Sequence, residues 1–104
     1  MLQTARVAVE LAVTQLESGA DAVATEESLE RAEQLAARAE APHLSARVLL
    51  AMARLWATRA DGTSQERALR KAGLAAGRAG DATLLTQVDR ALRNLLQVSE
   101  HPTL

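Results

Sequence analysis

The chain repeats itself at a shift of 40 residues, and this repeat limits the available folds more than any other feature. Between 20–55 and 60–95, 12 of the 36 aligned positions are identical, where composition alone gives roughly 3 or 4 matches. The stretch "ESGADAVATEESLERA" (17–32) returns as "ATRADGTSQERALRKA" (57–72), and Asp21 meets Asp61. Such self-similarity indicates units that bury their apolar faces on one another. We therefore predict a repeat architecture.

The repeated unit is predicted to be helical. Alanine, leucine and arginine are the commonest residues, phenylalanine and tyrosine are absent, and Trp56 is the only aromatic residue. Good helix formers therefore dominate, and strand formers are scarce. Apolar residues also recur at helical spacing, as in the series Leu44, Val48, Ala51 and Leu55. The predicted fold class is all-α.

Glycine, proline and capping residues divide the chain into five predicted helices, at about 4–18, 26–39, 43–59, 63–80 and 81–99. Thr25 is the predicted N-cap of the second helix, and Pro42 suits the first position of the third. Thr63-Ser64-Gln65-Glu66 has the spacing of a capping box that opens the fourth helix. Asp81 is the predicted N-cap of the fifth.

In this register the chain is two and a half copies of a helix-turn-helix unit, at about 1–40, 41–80 and 81–104, within a single domain. The first helix fits this register in residue type rather than in identity, because the apolar residues Leu11 and Ala12 align with the apolar residues Ala51 and Met52. An ordinary five-helix bundle is the alternative architecture.

Paired antiparallel helices with small residues at the crossing positions resemble tetratricopeptide repeats. The first helix of that family pairs a leucine with a small residue, and the pairs at those places are Leu11-Ala12, Ala51-Met52 and Ala91-Leu92. Two features depart from the family: Ala68 is followed by Ala72 where a large apolar residue is usual, and the period of 40 is long. HEAT-type repeats reach this period and are a second candidate family.

The sequence between units, Arg78-Ala79-Gly80-Asp81, looks like the lengthened tetratricopeptide-like arrays of bacterial LuxR/MalT-type regulators. The resemblance implies a non-catalytic, protein- or peptide-binding interaction module of a bacterial signalling or transcription-regulatory protein in the cytoplasm. In tetratricopeptide-like arrays the first helix of each pair lines the concave groove, so the first, third and fifth helices are expected to line it here. The candidate partner-binding residues are Arg6, Leu49, Arg54, Trp56, Asp89 and Arg93.

Trp56 is the expected anchor for a partner, because hot spots of binding favour tryptophan and arginine. Burial in the core is the competing interpretation, since the chain is otherwise short of bulky side chains.

The net charge of −1 conceals an uneven distribution. Residues 1–40 carry eight acids and three arginines, a net charge of −5, whereas 41–104 carry +4. This asymmetry suits an acidic partner or head-to-tail stacking, and solvated helix faces are the simpler explanation. No partner helix follows the fifth, although Leu92, Leu95 and Leu96 need burial. A self-associating helical bundle, joined through the fifth helix, is therefore the alternative function.

The sequence contains no convergent catalytic, metal-binding or cofactor-binding residues. His43 raises a third, less favoured possibility, a histidine phosphotransfer domain, but it lies at a helix start rather than mid-helix. Arg67, Lys71 and Arg78 share one helix face, but that helix lacks side chains that read base edges, which disfavours nucleic acid. The chain has no cysteine for disulfides and no apolar run long enough for a membrane span.

Overall fold

The computed structural model describes residues 2–19 and 21–100, with side chains described up to residue 97. It contains five helices: α1 (Leu2–Glu17), α2 (Ala22–Arg38), α3 (Pro42–Thr58), α4 (Gly62–Ala79) and α5 (Ala82–Glu100). These described residues form no strand, which confirms the all-α prediction. Met1, Ala20 and 101–104 lie outside them.

Three aspartates begin helices. A carboxylate oxygen of Asp21, Asp61 and Asp81 accepts a hydrogen bond from the backbone N–H three residues later, at 3.1, 3.0 and 3.0 Å respectively. Such caps satisfy N–H groups that have no partner in the first helical turn. The prediction for Asp81 is confirmed. Asp21 and Asp61, which coincide in the 40-residue register, have the same structural role.

Two of the predicted caps are wrong. Thr25 lies inside α2 with 1% of its surface exposed, because Asp21 starts that helix four residues earlier. Thr63 lies inside α4, where Asp61 caps the helix in place of the predicted capping box. Aspartate is a better N-cap than threonine, so the helix begins at the aspartate in both units. Pro42 is confirmed at the start of α3.

Helices α2, α3 and α4 end in the same way at intervals of 20 residues. Glu40, Ala60 and Gly80 adopt left-handed backbone conformations, with φ of 51°, 56° and 65°. The N–H of the next residue then donates to a carbonyl five residues back, at 3.0, 3.0 and 3.1 Å. This Schellman closure pairs carbonyls that the helix leaves unsatisfied. Gly80 adopts the conformation without a steric penalty, whereas the Cβ atoms of Glu40 and Ala60 incur one.

Helix α3 is the centre of the fold and contacts each of the other four helices. Val48 and Ala51 belong to a core cluster that also takes in Ala72 of α4 and Val88 of α5, and Ala46 and Ala53 pack in two smaller clusters with α4. In backbone contacts among the described residues, however, α1 and α2 meet α3 but not α4 or α5. The result is two three-helix groups, α1–α2–α3 and α3–α4–α5, that share α3. The molecule measures 50 × 33 × 18 Å, and its smallest dimension matches two layers of helices.

Small side chains allow the helices to approach closely. Among the residues whose side chains the structure describes, twelve of the 21 buried apolar residues are alanines, and Leu29, Leu44 and Leu69 are the largest fully buried side chains. Alanine at a crossing point brings helix axes toward the short end of the roughly 8–10 Å range. The core therefore depends on close backbone packing more than on bulky side chains.

The helix ends generate a first prediction. We expect Ala60→Gly to raise the free energy of unfolding by about 0.5–1 kcal/mol, because glycine adopts the left-handed conformation without a Cβ clash. Gly80→Ala, at the same place in the next turn, should lower it by a similar amount. Urea unfolding followed by circular dichroism measures both changes. A shift of the same sign in both variants would contradict this account of the turns.

Capping also lowers the pKa of Asp61. The backbone N–H of Ser64 contributes most, its hydroxyl follows, and the charge of Arg67 adds less, so the pKa lies below the ordinary 3.8 despite an opposing effect of burial. A lowered folded pKa contributes stability that is fully present above the unfolded value of about 3.8 and is lost as pH falls through the folded pKa.

Asp61→Asn keeps a capping oxygen but cannot titrate. We therefore expect wild type to lose more stability than this variant when the pH falls below about 3.8. Acid unfolding curves of the two proteins, compared from neutral pH downward, test this expectation. If stability varied with pH in the same way in both proteins, the ionisation of Asp61 would not contribute to the stability of the fold.

Candidate peptide-binding groove

A groove of about 590 Å³ runs between α3 and α5. Arg47 and Arg54 on α3, and Thr83 and Gln87 on α5, form its polar rim. An apolar floor with a few polar groups is the usual composition of a ligand pocket, and the volume lies in the usual range of about 300–1,000 Å³. The floor residues are Val13, Leu50, Ala51, Ala53, Ala57, Leu69, Leu84 and Ala91.

Comparison of equivalent positions in the two units explains why this groove is open. Glu10 on α1 and Arg47 on α3 form an ion pair at 2.7 Å, which links those two helices. Forty residues later the counterparts are Leu50 and Gln87, which cannot form an ion pair, and both line the groove. Helix α1 packs more extensively against α3 than α5 does. The second copy has therefore lost an interhelical contact.

A difference in side-chain volume lies in the same floor. Val13 on α1 corresponds to Ala53 on α3, and both residues line the groove. An alanine leaves space that a valine would fill in part. The groove therefore lies where the two copies differ in both charge and side-chain volume.

The electrostatics of the rim favour an anion. Arg54 is exposed and forms no ion pair with any residue that the structure describes. Asp81 also lines the groove, but its carboxylate accepts the capping hydrogen bond from Leu84 at 3.0 Å. An arginine guanidinium beside an apolar surface is suited to bidentate binding of a carboxylate. The groove matches a ligand with apolar side chains and a nearby acid.

A second groove, of about 580 Å³, lies between α2 and α4. Leu49 forms part of its floor, Glu33 lines the α2 side, and Lys71 lines the α4 side. Leu74 on the α4 side is 67% exposed. Sequence reasoning missed this groove, although the sequence contains one signal for it: Leu74 is an apolar residue whose counterpart on α2 is the polar Gln34.

The structure separates the residues that were predicted to bind a partner. Arg54 lines the α3–α5 groove, whereas Leu49, which is 6% exposed, lines the α2–α4 groove. Asp89 and Arg93 form an ion pair at 3.1 Å and line a shallow depression on α5. Arg6 is exposed on α1. These residues therefore do not form one continuous surface.

Trp56 lies against α4 rather than in either groove. It is half-buried and packs beside the cluster of Ala53, Ala68 and Leu69. The guanidinium of Arg59 lies 5.1 Å from the centroid of the indole ring and also pairs with Glu26. These contacts give Trp56 a structural role in joining α3 to α4.

Other kinds of site have few residues to support them in the described structure. His43 is half-buried at the second position of α3, and the other histidine of the chain, His101, lies outside the described residues. Within 2–19 and 21–100, no group of three or more His, Cys, Asp or Glu side chains could hold a metal ion. None of the helices described there is long and apolar enough to cross a membrane.

Comparison with known proteins finds no matching family, no matching curated protein and no matching solved structure. Inference about function therefore depends on the geometry of this chain.

The two predicted contact residues on α3 should differ in their effects on stability. We expect Trp56→Ala to lower the free energy of unfolding by about 2 kcal/mol, because it removes a half-buried side chain at the α3–α4 contact. Arg54→Ala should change it by less than about 0.5 kcal/mol, since Arg54 is exposed. Urea unfolding measures both values, and a larger loss in the Arg54 variant would contradict the placement of these side chains.

Proposed function

We propose that the chain is a protein- or peptide-binding interaction module whose ligand lies in the groove between α3 and α5. The observation that carries this proposal is an apolar floor beside the exposed guanidinium of Arg54, which has no ion-pair partner among the described residues. The proposed role is binding without a chemical reaction.

A tetratricopeptide-like array is the proposed architecture. Its support is that α1, α3 and α5 contact one another in succession, whereas no Cα atom described in α2 lies within 8 Å of one in α4. Stacked helix pairs are expected to contact their neighbours in this way. The resemblance of Arg78-Ala79-Gly80-Asp81 to regulator arrays extends the proposal to a cytoplasmic bacterial signalling or transcription-regulatory protein.

The proposed ligand is a peptide segment that combines an aliphatic side chain with an acid. The aliphatic side chain would enter the space above Ala53 and Ala57, where small residues leave room. The acid would pair with Arg54, and Gln87 on the opposite rim would hydrogen-bond to the peptide backbone. A hydrogen bond to a charged group contributes about 1.5–3 kcal/mol, so Arg54 should account for a measurable part of the affinity.

Selection from a random displayed peptide library tests this proposal, because the library samples many ligand sequences at once. We expect selected peptides to be enriched in acidic and aliphatic residues, and their affinity to fall by at least about tenfold with Arg54→Glu, because the variant repels a carboxylate. Ala57→Trp should also weaken binding, since the indole would fill the floor. Fluorescence anisotropy of labelled peptides measures these affinities.

Arg31→Glu is the matched control, because Arg31 is an exposed arginine on α2 that does not line this groove. It makes the same charge change as Arg54→Glu and should leave affinity within about twofold of wild type. If Arg54→Glu and Arg31→Glu weakened peptide binding equally, the loss of affinity would be explained by net charge and not by the groove. Selected peptides that bind both groove variants as well as wild type would rule out the groove as their site.

A further inference from the structure

Two leucines on one face of α5 are exposed in the described structure. Leu85 and Leu96 are 40% and 36% exposed, and Leu92 between them is half-buried because one side of it packs against the core. In the 40-residue register, Leu92 and Leu96 correspond to Met52 and Trp56, which pack beside α4. The α5 stripe, defined as Leu85, Leu92 and Leu96, therefore occupies the position at which a helix would be expected to pack.

We propose that the α5 stripe is the interface of a homodimer in which α5 packs antiparallel against α5 of a second copy. Dimers of this kind have a two-fold axis and need a surface that is complementary to itself. An axis near Ala91 places Leu85 of one copy beside Leu96 of the other. Leu92 of each copy then lies next to the axis.

The charges beside the stripe fit this arrangement. Asp89 and Arg93 lie on the same side of α5, because residues four positions apart are separated by only about 40° around a helix. The same axis near Ala91 places Asp89 of one copy beside Arg93 of the other, and the reverse pair forms by symmetry. The intrahelical ion pair at 3.1 Å is thereby extended into a cluster of two acids and two arginines.

Helix α1 has a more exposed apolar face but is a poorer match for a second copy. Val7 and Leu11 are 66% and 56% exposed. The charges near this face are Arg6, Glu10 and Glu17. An axis near Ala8 would place Arg6 of one copy beside Glu10 of the other, but Glu10 already forms an ion pair with Arg47 at 2.7 Å. An antiparallel pair centred on Leu11 would bring Glu10 of the two copies together. Like charges in such positions are destabilising. Charge complementarity therefore favours α5, and α1 supplies a matched control.

The proposed dimer should be weak and should leave the α3–α5 groove open. A 19-residue helix is about 28 Å long, so one helix pair buries less than the roughly 1,600 Å² of a standard interface. Interfaces of this size are typical of weak, transient association. The groove residues Gln87 and Ala91 are distinct from the α5 stripe, so dimerisation and peptide binding can be tested separately.

Sedimentation equilibrium of the full chain, from about 10 µM to about 1 mM, tests the proposal. The average mass should rise from the monomer value of 11.1 kDa toward twice that value as concentration increases. Leu85→Gln should weaken association at least about tenfold, whereas Leu11→Gln should leave it unchanged. A mass that stays at the monomer value up to about 1 mM, or a larger effect of the α1 variant, would overturn the proposal.

Charge reversal supplies a test that a loss of folding cannot imitate. Asp89→Arg and Arg93→Asp should each weaken self-association at least about tenfold, because each variant carries like charges across the axis. An equimolar mixture of the two variants should associate at least as well as wild type, since opposite charges then meet across the same interface. Circular dichroism of each variant checks that the helices are intact. A mixture that remains monomeric while wild type dimerises would overturn the antiparallel arrangement.

Discussion

The burial of α3 on both sides is the constraint on which the rest of the structure depends. Every other helix contacts α3, and the two three-helix groups have no other helix in common. Alanines at 46, 51 and 53 make this possible, because a helix can be enclosed by neighbours only if their backbones approach closely. The same alanines leave little bulk in the core, so small differences in side-chain volume between the copies have visible consequences.

A difference in interhelical pairing accompanies the candidate groove. The two copies share helix boundaries to within one residue and the caps formed by Asp21 and Asp61, yet the first copy joins α1 to α3 through Glu10 and Arg47 while the second has Leu50 and Gln87 at those positions. A repeated scaffold can therefore carry a closed helix pair and an open one without a change of fold. Arg54 supplies the positive charge of the α3–α5 groove. The proposed ligand chemistry follows from this charge together with the apolar floor.

Local chemistry explains which features were predictable and which were not. Pro42 and the cap formed by Asp81 depend on neighbouring residues alone, and the structure confirms them. Thr25 failed as a cap because a better one, Asp21, stands four residues earlier and the intervening residues tolerate a helix. The prediction of six partner-binding residues depended on each helix having a single buried face. That assumption fails for α3, because α3 is buried on both sides and its exposed positions open into different grooves.

The sequence by itself determined the all-α class, the five helices, the 40-residue register and the Asp81 cap, because helix formation and capping depend on contacts within a few residues. Only the tertiary structure decided that Leu49 and Arg54 line different grooves, that Trp56 packs beside α4, and that a groove lies between α3 and α5. These features depend on side-chain contacts between helices that are far apart in the sequence, and helical periodicity does not specify such contacts.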